Sequence, residues 1–204
     1  MDGDIAPLPD IVRIAHKYEA MVMADEAHGT GVFGENGRGV VEHFNLSKKV
    51  SIVMGTLSKA VGSLGGYVSG DADLINFLRN KARPFMYTTA LPPAVCAASI
   101  AGIKLIRKNP SLRKSLWNNV RYLKKELDLL NFNLIPSESP IISILIGDAK
   151  KAVDVSKLLY KKGILIPAIR PPTVPTRSSR LRMTVMSTHT RKDLERLLEV
   201  LSDV

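Results

Sequence analysis

Apolar and polar positions change period several times along this chain, and each change marks an element. After Pro7 and Pro9, apolar Leu8, Ile11, Val12, Ile14 and Ala15 recur at helical spacing and predict an amphipathic helix over residues 8–18. Two short apolar runs follow, Met21-Val22-Met23-Ala24 and Val50-Ser51-Ile52-Val53-Met54, and they predict strands over 20–24 and 50–54. A further strand is predicted over 66–70, and Asp71 is placed to cap a helix over 72–81. Pro92 and Pro93 introduce a helix to about residue 107, Asn109-Pro110 end it, and Ser111 opens another to about residue 130. Beyond Asn131 the pattern predicts strand 140–146, helix 149–161, strands 164–169 and 180–186, and a closing helix over 190–201. Thr190 and Asp193 form a capping-box pair at its start, with Asp shorter than the preferred Glu.

These elements divide the chain. Residues 1–106 read as part of an α/β domain, because apolar runs bounded by glycine and followed by helical sequence are the mark of buried parallel strands. Residues 107–204 read as a bridging helix and a small α+β carboxyl-terminal domain. A parallel strand that is apolar on both faces needs neighbours on its edges and cover on both sides. Residues 1–70 hold too few strands to supply them. The expectation is exposed apolar surface and dependence on a further segment, the chain resembling the carboxyl-terminal portion of something larger.

Composition narrows the class. With 45% hydrophobic and 24% charged residues the chain has the balance of a globular protein, and no apolar run is long enough to span a bilayer. The start, Met1-Asp2-Gly3-Asp4, has neither a basic segment nor an apolar signal core, so a cytoplasmic location is expected. A single cysteine, Cys96, excludes an internal disulfide framework, and in Ala94-Val95-Cys96-Ala97-Ala98 it reads as a buried small hydrophobe. The net charge of +10 raises nucleic acid as a partner, but basic residues are not interleaved with aromatics. Their concentration over 107–125 reads as a solvated helix face, compatible with attraction of an anionic thioester. Neither a nucleic-acid nor a membrane partner is expected.

Chemistry gathers at the downstream ends of the first two strands. One run stops at Asp25-Glu26-Ala27-His28-Gly29, the other at Gly55-Thr56-Leu57-Ser58-Lys59. In open α/β sheets ligands bind beyond the carboxyl ends of the strands, so an acid, an imidazole and an amine converge there. Singly, Asp25 suits a helix cap, Lys59 a solvated surface, and His28 a satisfied hydrogen-bonder. Together they suit pyridoxal 5'-phosphate: a lysine amine takes the aldehyde and a carboxylate keeps the ring nitrogen protonated. Lys59 and Asp25 fill those roles, His28 reaches the ring oxygen or lies on the ring face, and Thr56 and Ser58 offer hydroxyls to the phosphate.

Asp25-Glu26-Ala27-His28-Gly29, the Gly-rich Gly34-Glu35-Asn36-Gly37-Arg38-Gly39 and Gly55-Thr56-Leu57-Ser58-Lys59 together resemble the α-oxoamine synthases, pyridoxal-phosphate enzymes of the aminotransferase-like fold (fold type I). The resemblance runs through the whole chain. It implies a partial large domain with the amino-terminal part absent, a homodimer, and a threonine reaching the neighbouring subunit's phosphate, with Thr89 the best match and Thr88 the alternative. It also implies that Arg170 binds the amino-acid carboxylate, that Thr173 contacts substrate, and that Arg182 supports the carboxylate site. The segments Ala168-Ile169-Arg170-Pro171-Pro172-Thr173-Val174-Pro175 and Arg180-Leu181-Arg182 look most like members that condense L-alanine with pimeloyl-CoA or a pimeloyl-carrier protein, losing carbon dioxide, on the way to biotin. A glycine-using member with another acyl thioester is the alternative within the family. A catalytically silent fragment, or a subunit that completes a partner, is the alternative of another class.

Overall fold

The structure is a computed structural model that describes residues 1–203. Its elements in order are α1 (Leu8–Lys17), β1 (Met23–Asp25), α2 (Val40–His43), β2 (Ile52–Thr56), β3 (Gly66–Ser69), α3 (Ala72–Lys81), α4 (Arg83–Met86), α5 (Pro93–Lys108), α6 (Pro110–Leu129), β4 (Leu134–Ile135), β5 (Ile141–Gly147), α7 (Ala149–Lys161), β6 (Ala168–Ile169), β7 (Ser179–Thr184) and α8 (Arg191–Ser202). The chain packs as two compact units, one of residues 6–113 and one of Lys114–Val204 together with Met1–Ile5. Packing thus divides the chain within α6, at 113/114 and not at 106/107, and assigns residues 1–5 to the second unit.

In the unit of residues 6–113, β1, β2 and β3 form a sheet in that order. β1 pairs with β2 in parallel, Met23 opposite Ile52 and Asp25 opposite Met54, while β3 returns antiparallel. One face of this sheet is covered: Leu8 and Val12 of α1 bury themselves with Val22, Val41, Leu46 and Val50, against Ala24 and Val53. Each such side chain contributes about 1.5–3 kcal/mol on leaving water. The opposite face, which carries Met23 and Val68, stays open, with Met23 63% exposed. Nothing pairs with the outer edge of β1 among the described residues. The expectation of a buried strand over 20–24 is therefore corrected to a short edge strand, since neither its outer edge nor its second face has a neighbour.

The same want of cover corrects Cys96. It is exposed on α5, a helix of which only Ser99 is buried. The basic stretch over 107–125 is not uniformly solvated either. Arg113 is buried, donating to the carbonyls of Ile106 and Glu35. Lys124 donates to the Ser137 carbonyl, and burial pushes its ammonium pKa down against the opposing pull of Glu138.

The second unit is better closed. Its sheet runs β4-β5-β7-β6, all neighbouring pairs antiparallel. One face presents Ile142, Ile144, Leu181 and Met183, and Leu123 and Leu127 of α6, Leu159 of α7, and Leu194 and Leu201 of α8 are buried in the same unit. Asp148 caps α7 through the Lys151 N–H, and the capping box of Thr190 and Asp193 opens α8 as expected. The strand expected over 164–169 shrinks to Ala168–Ile169, because Pro167 has no N–H to give a ladder and only its carbonyl is used, by the Arg182 N–H. Two short helices, α2 and α4, and strand β4 were not foreseen; each is too short to show a period.

Two outcomes follow from this contrast. Leu127→Ala should cost about 2–5 kcal/mol in a urea melt, because the side chain is wholly buried. Leu129→Ala, two residues on but exposed, should change it by less than about 0.5 kcal/mol. The open sheet face should make the isolated chain self-associate in sedimentation and bind an apolar dye before any denaturant is added. A monodisperse, dye-silent, cooperatively melting preparation would contradict this reading of the first unit.

Candidate functional site

The register of β1 on β2 decides where the predicted residues go. Because the two strands are parallel and Asp25 stands opposite Met54, the chain leaves both at the same edge of the sheet, and Lys59 follows the end of β2 by three residues. Side chains alternate along a strand, so Asp25 shares a face with Met23 and Met54, opposite the face that Ala24 and Val53 turn toward α1. Asp25 is exposed there. Its Oδ1 accepts the Ala27 N–H at 2.8 Å, which fixes the plane of the carboxylate, while Oδ2 has no hydrogen-bond partner among the described residues.

Glu26, named in the motif but given no task by sequence reasoning, builds the turn. Its N–H donates to the Met54 carbonyl at 2.7 Å, and its own carbonyl accepts from Gly29 and Thr30 at 3.0 and 2.9 Å, so the chain bends directly after the strand. Its carboxylate is buried and accepts the N–H groups of Val40 and Val41 at 2.9 and 2.7 Å, the orphan donors at the start of α2. Gly39 must approach it closely: with φ +112, a Cβ there would stand 2.2 Å from Glu26 Oε2. His28 sits in the turn so formed, with its side chain exposed.

Lys59 lies in a loop closed at its base, where Leu57 N–H donates to the Gly65 carbonyl at 2.9 Å and Ser63 N–H to the Leu57 carbonyl at 2.8 Å. Its side chain is exposed, and no ion pair joins it to Asp25 among the described residues, so neither charge is spent on the other. Thr56 Oγ1 donates to the Gly65 carbonyl at 3.1 Å and accepts from Ser58 N–H at 3.1 Å. With the threonine proton so used, the 2.6 Å contact between the two hydroxyls has Ser58 as donor. The pair therefore bonds internally, and Ser58 has to rotate its hydroxyl before it can donate to an anion.

A free carboxylate oxygen and an uncommitted amine at one edge of a parallel pair fit the pyridine nitrogen and the aldehyde of pyridoxal phosphate. A cavity of about 590 Å³ lies elsewhere. It is lined by Val53, Tyr67 and Ser69 of the other sheet face, with Thr30, Ile103 and Arg107, and it does not include Asp25 or Lys59. Thr88 and Thr89 stand exposed between α4 and α5, with no side-chain partner among the described residues beyond a weak contact of the Thr88 hydroxyl to the Thr89 carbonyl.

The Gly-rich segment 34–39 is held by side chains that the motif does not contain. Glu42 accepts from the Asn36 side-chain amide at 2.6 Å and from the Arg38 N–H at 2.9 Å, and Arg113 donates to the Glu35 carbonyl at 2.5 Å. Burial pushes the Glu42 carboxyl up, but the Asn36 and Arg38 hydrogen bonds and the Arg38 charge outweigh it and hold the group below the usual glutamate range.

In the second unit Arg170 is exposed directly after β6, and the Thr173 N–H donates to its carbonyl at 3.1 Å, closing a tight turn over Pro171-Pro172. Thr173 is exposed in that turn. Arg182 lies on β7 opposite Ser143 of β5, partly buried. Arg180, on the same side of β7, is buried and paired with Asp2. Arg182 is thus the more available of the two.

Residues 1–201 match the family described as aminotransferase class I and II. The chain is 45% identical over 204 residues to 8-amino-7-oxononanoate synthase of Thermoanaerobacter pseudethanolicus, covering 100% of this chain and 52% of that protein. Among solved structures, SPT with its PLP internal aldimine superposes with a TM-score of 0.96 at 35% identity, over 100% of this chain and 52% of that one. The 8-amino-7-oxononanoate synthase of Francisella tularensis gives 0.86 at 29% identity, over 100% and 59%. The chain spans about half the length of the curated relatives it matches.

The Glu42 contacts carry a pH signature. A carboxyl whose folded pKa is depressed stabilises the fold fully above its unfolded pKa, and that contribution is lost as pH falls through the folded value. Urea melts stepped from neutral pH down through the carboxylate range should therefore fall less steeply for Glu42→Gln than for the natural chain. Parallel pH dependences would refute the link.

Proposed function

Since this chain belongs to the aminotransferase class I and II family, we propose that it carries the cofactor-holding lysine and the carboxylate-binding arginines of an 8-amino-7-oxononanoate synthase, which joins L-alanine to a pimeloyl thioester with loss of carbon dioxide. The observation that carries this reading is the placing of Asp25 and Lys59 at one sheet edge with neither charge neutralised by the other. The curated relatives bearing that name, at 45% and 47% identity, support the choice of reaction. When bound, pyridoxal phosphate supplies an electron sink for negative charge at the amino-acid α-carbon.

The chain's own residues then divide the work. With the cofactor bound, Lys59 Nζ would hold its aldehyde group and, when free, would serve as the base that moves the substrate α-proton. Asp25 keeps a proton on the ring nitrogen, and the Ala27 N–H on its Oδ1 keeps the carboxylate aimed. His28 would reach the ring oxygen or lie against the ring face. Thr56 and Ser58, once their hydroxyls turn away from the Gly65 carbonyl and from each other, would donate to the phosphate, joined by Thr89 from a neighbouring subunit in a homodimer. Arg170 and Arg182 grip the amino-acid carboxylate and Thr173 completes that contact, an arrangement suited to the fork geometry of guanidinium. The positive charge of the chain favours an anionic thioester such as pimeloyl-CoA or a pimeloyl-carrier protein.

A serine-using relative is a second reading, favoured by the higher TM-score to SPT, serine palmitoyltransferase, and a glycine-using one is the further alternative within the family. One experiment addresses both. Pyridoxal phosphate added to the chain should give a visible absorbance that borohydride removes, leaving the cofactor mass on the peptide that contains Lys59, and Lys59→Ala should give neither. L-Alanine should perturb that absorbance more strongly than glycine or serine. Trapping on another lysine would sink the site, and a preference for glycine or serine would move the reaction to the second reading.

A further inference from the structure

Two arginines project from the same side of β7, two residues and about 7 Å apart, and a carboxylate arriving there meets both. The segment Met1–Ile5 separates their tasks. Arg180 is 5% exposed; its Nε donates to the Ser178 carbonyl at 2.9 Å and its Nη1 to the Asp2 carboxylate. Its charge is matched by Asp2, and both its Nε and its Nη1 are engaged. Arg182 instead gives only its Nε, to the Met1 carbonyl at 3.0 Å, and its two Nη groups carry no hydrogen bond among the described residues. A guanidinium held by Nε keeps its orientation and leaves an Nη edge for a carboxylate.

The strap lies close to the sheet because of one residue. Gly3 has φ +87, and a Cβ there would stand 2.5 Å from Ser139 Oγ and 2.6 Å from Ser137 Oγ. Its carbonyl accepts from the Glu138 N–H at 2.9 Å, and the Ile5 N–H donates to Glu138 Oε2 at 3.0 Å. These bonds fix Met1 and Asp2 against the two arginines. Without Asp2, the buried Arg180 charge has no partner and competes for any anion that reaches β7.

We propose that Met1–Ile5 is the positioning element that makes Arg182, and not Arg180, the carboxylate-receiving arginine of β7, an inference that rests on the carboxylate role proposed above for Arg182. Asp2 acts through Arg180, the Met1 carbonyl acts on Arg182 directly, and Gly3 permits the approach of both.

The test uses the full chain labelled with [15N]arginine and needs no cofactor. Side-chain Nε–Hε signals are followed while sodium acetate is added at ionic strength matched with chloride. In the natural chain the Hε protons of Arg180 and Arg182 should exchange slowly with solvent, and acetate should shift Arg182 while leaving Arg180 in place. In Asp2→Asn and in Gly3→Ala, Arg182 Hε should exchange faster by roughly tenfold or more, and acetate should now shift Arg180 as well. Asp2→Glu, which restores the charge, should return the natural pattern. Unchanged Arg182 exchange in Asp2→Asn, or equal acetate shifts at both arginines in the natural chain, would overturn the positioning role. If Arg182 is protected but silent to acetate, the carboxylate role falls and the proposal with it. Failure of trapping at Lys59 bears on the cofactor reading and leaves these signals untouched.

Discussion

The parallel pairing of β1 with β2 is the constraint from which the first unit takes its meaning. A parallel ladder fixes two things together: which residues stand opposite one another, and at which edge both strands end. With Asp25 set against Met54, the acid and the lysine loop emerge side by side, although they are separated by a helix and a Gly-rich segment in the chain. A slip of one residue would send Asp25 to the face covered by α1, where an unpaired carboxylate is costly. Ala24 and Val53, packed on that face, are what resist the slip.

Around this pairing, charged side chains serve mainly as backbone fasteners. Glu26 closes the start of α2, Glu42 gathers Asn36 and Arg38, and Arg113 ties Glu35 to the end of α5. Each satisfies main-chain groups in a segment that has no regular ladder of its own. This explains why a Gly-rich stretch between two strands holds one shape: the glycines allow the close approach, and the carboxylates and the guanidinium supply the bonds. Arg180 does the same office in the second unit, where Asp2 and the Ser178 carbonyl absorb its donors.

The two units differ in completeness for a physical reason. The sheet of the second unit is antiparallel throughout, with buried leucines of α6, α7 and α8 in the same unit. That of the first contains a parallel pair, which needs cover on two faces, and α1 gives cover on one. Met23 and Val68, exposed on the other face, mark where that cover is missing. The chain spans about half the length of the curated relatives it matches.

By itself the sequence determined the elements whose signals are local. Asp71, Asp148 and the Thr190–Asp193 pair announce helix starts, because capping depends on neighbours a few residues away. Only the tertiary structure decided that Glu26 and not its neighbours would be buried, that Arg113 would leave the solvated face expected of it, that Cys96 would be exposed, and that Arg180 and Arg182 would have opposite fates on one strand. Those outcomes turn on what lies across space from each side chain: a residue's own identity fixes which bonds it can make, but burial and partners are properties of the fold that surrounds it.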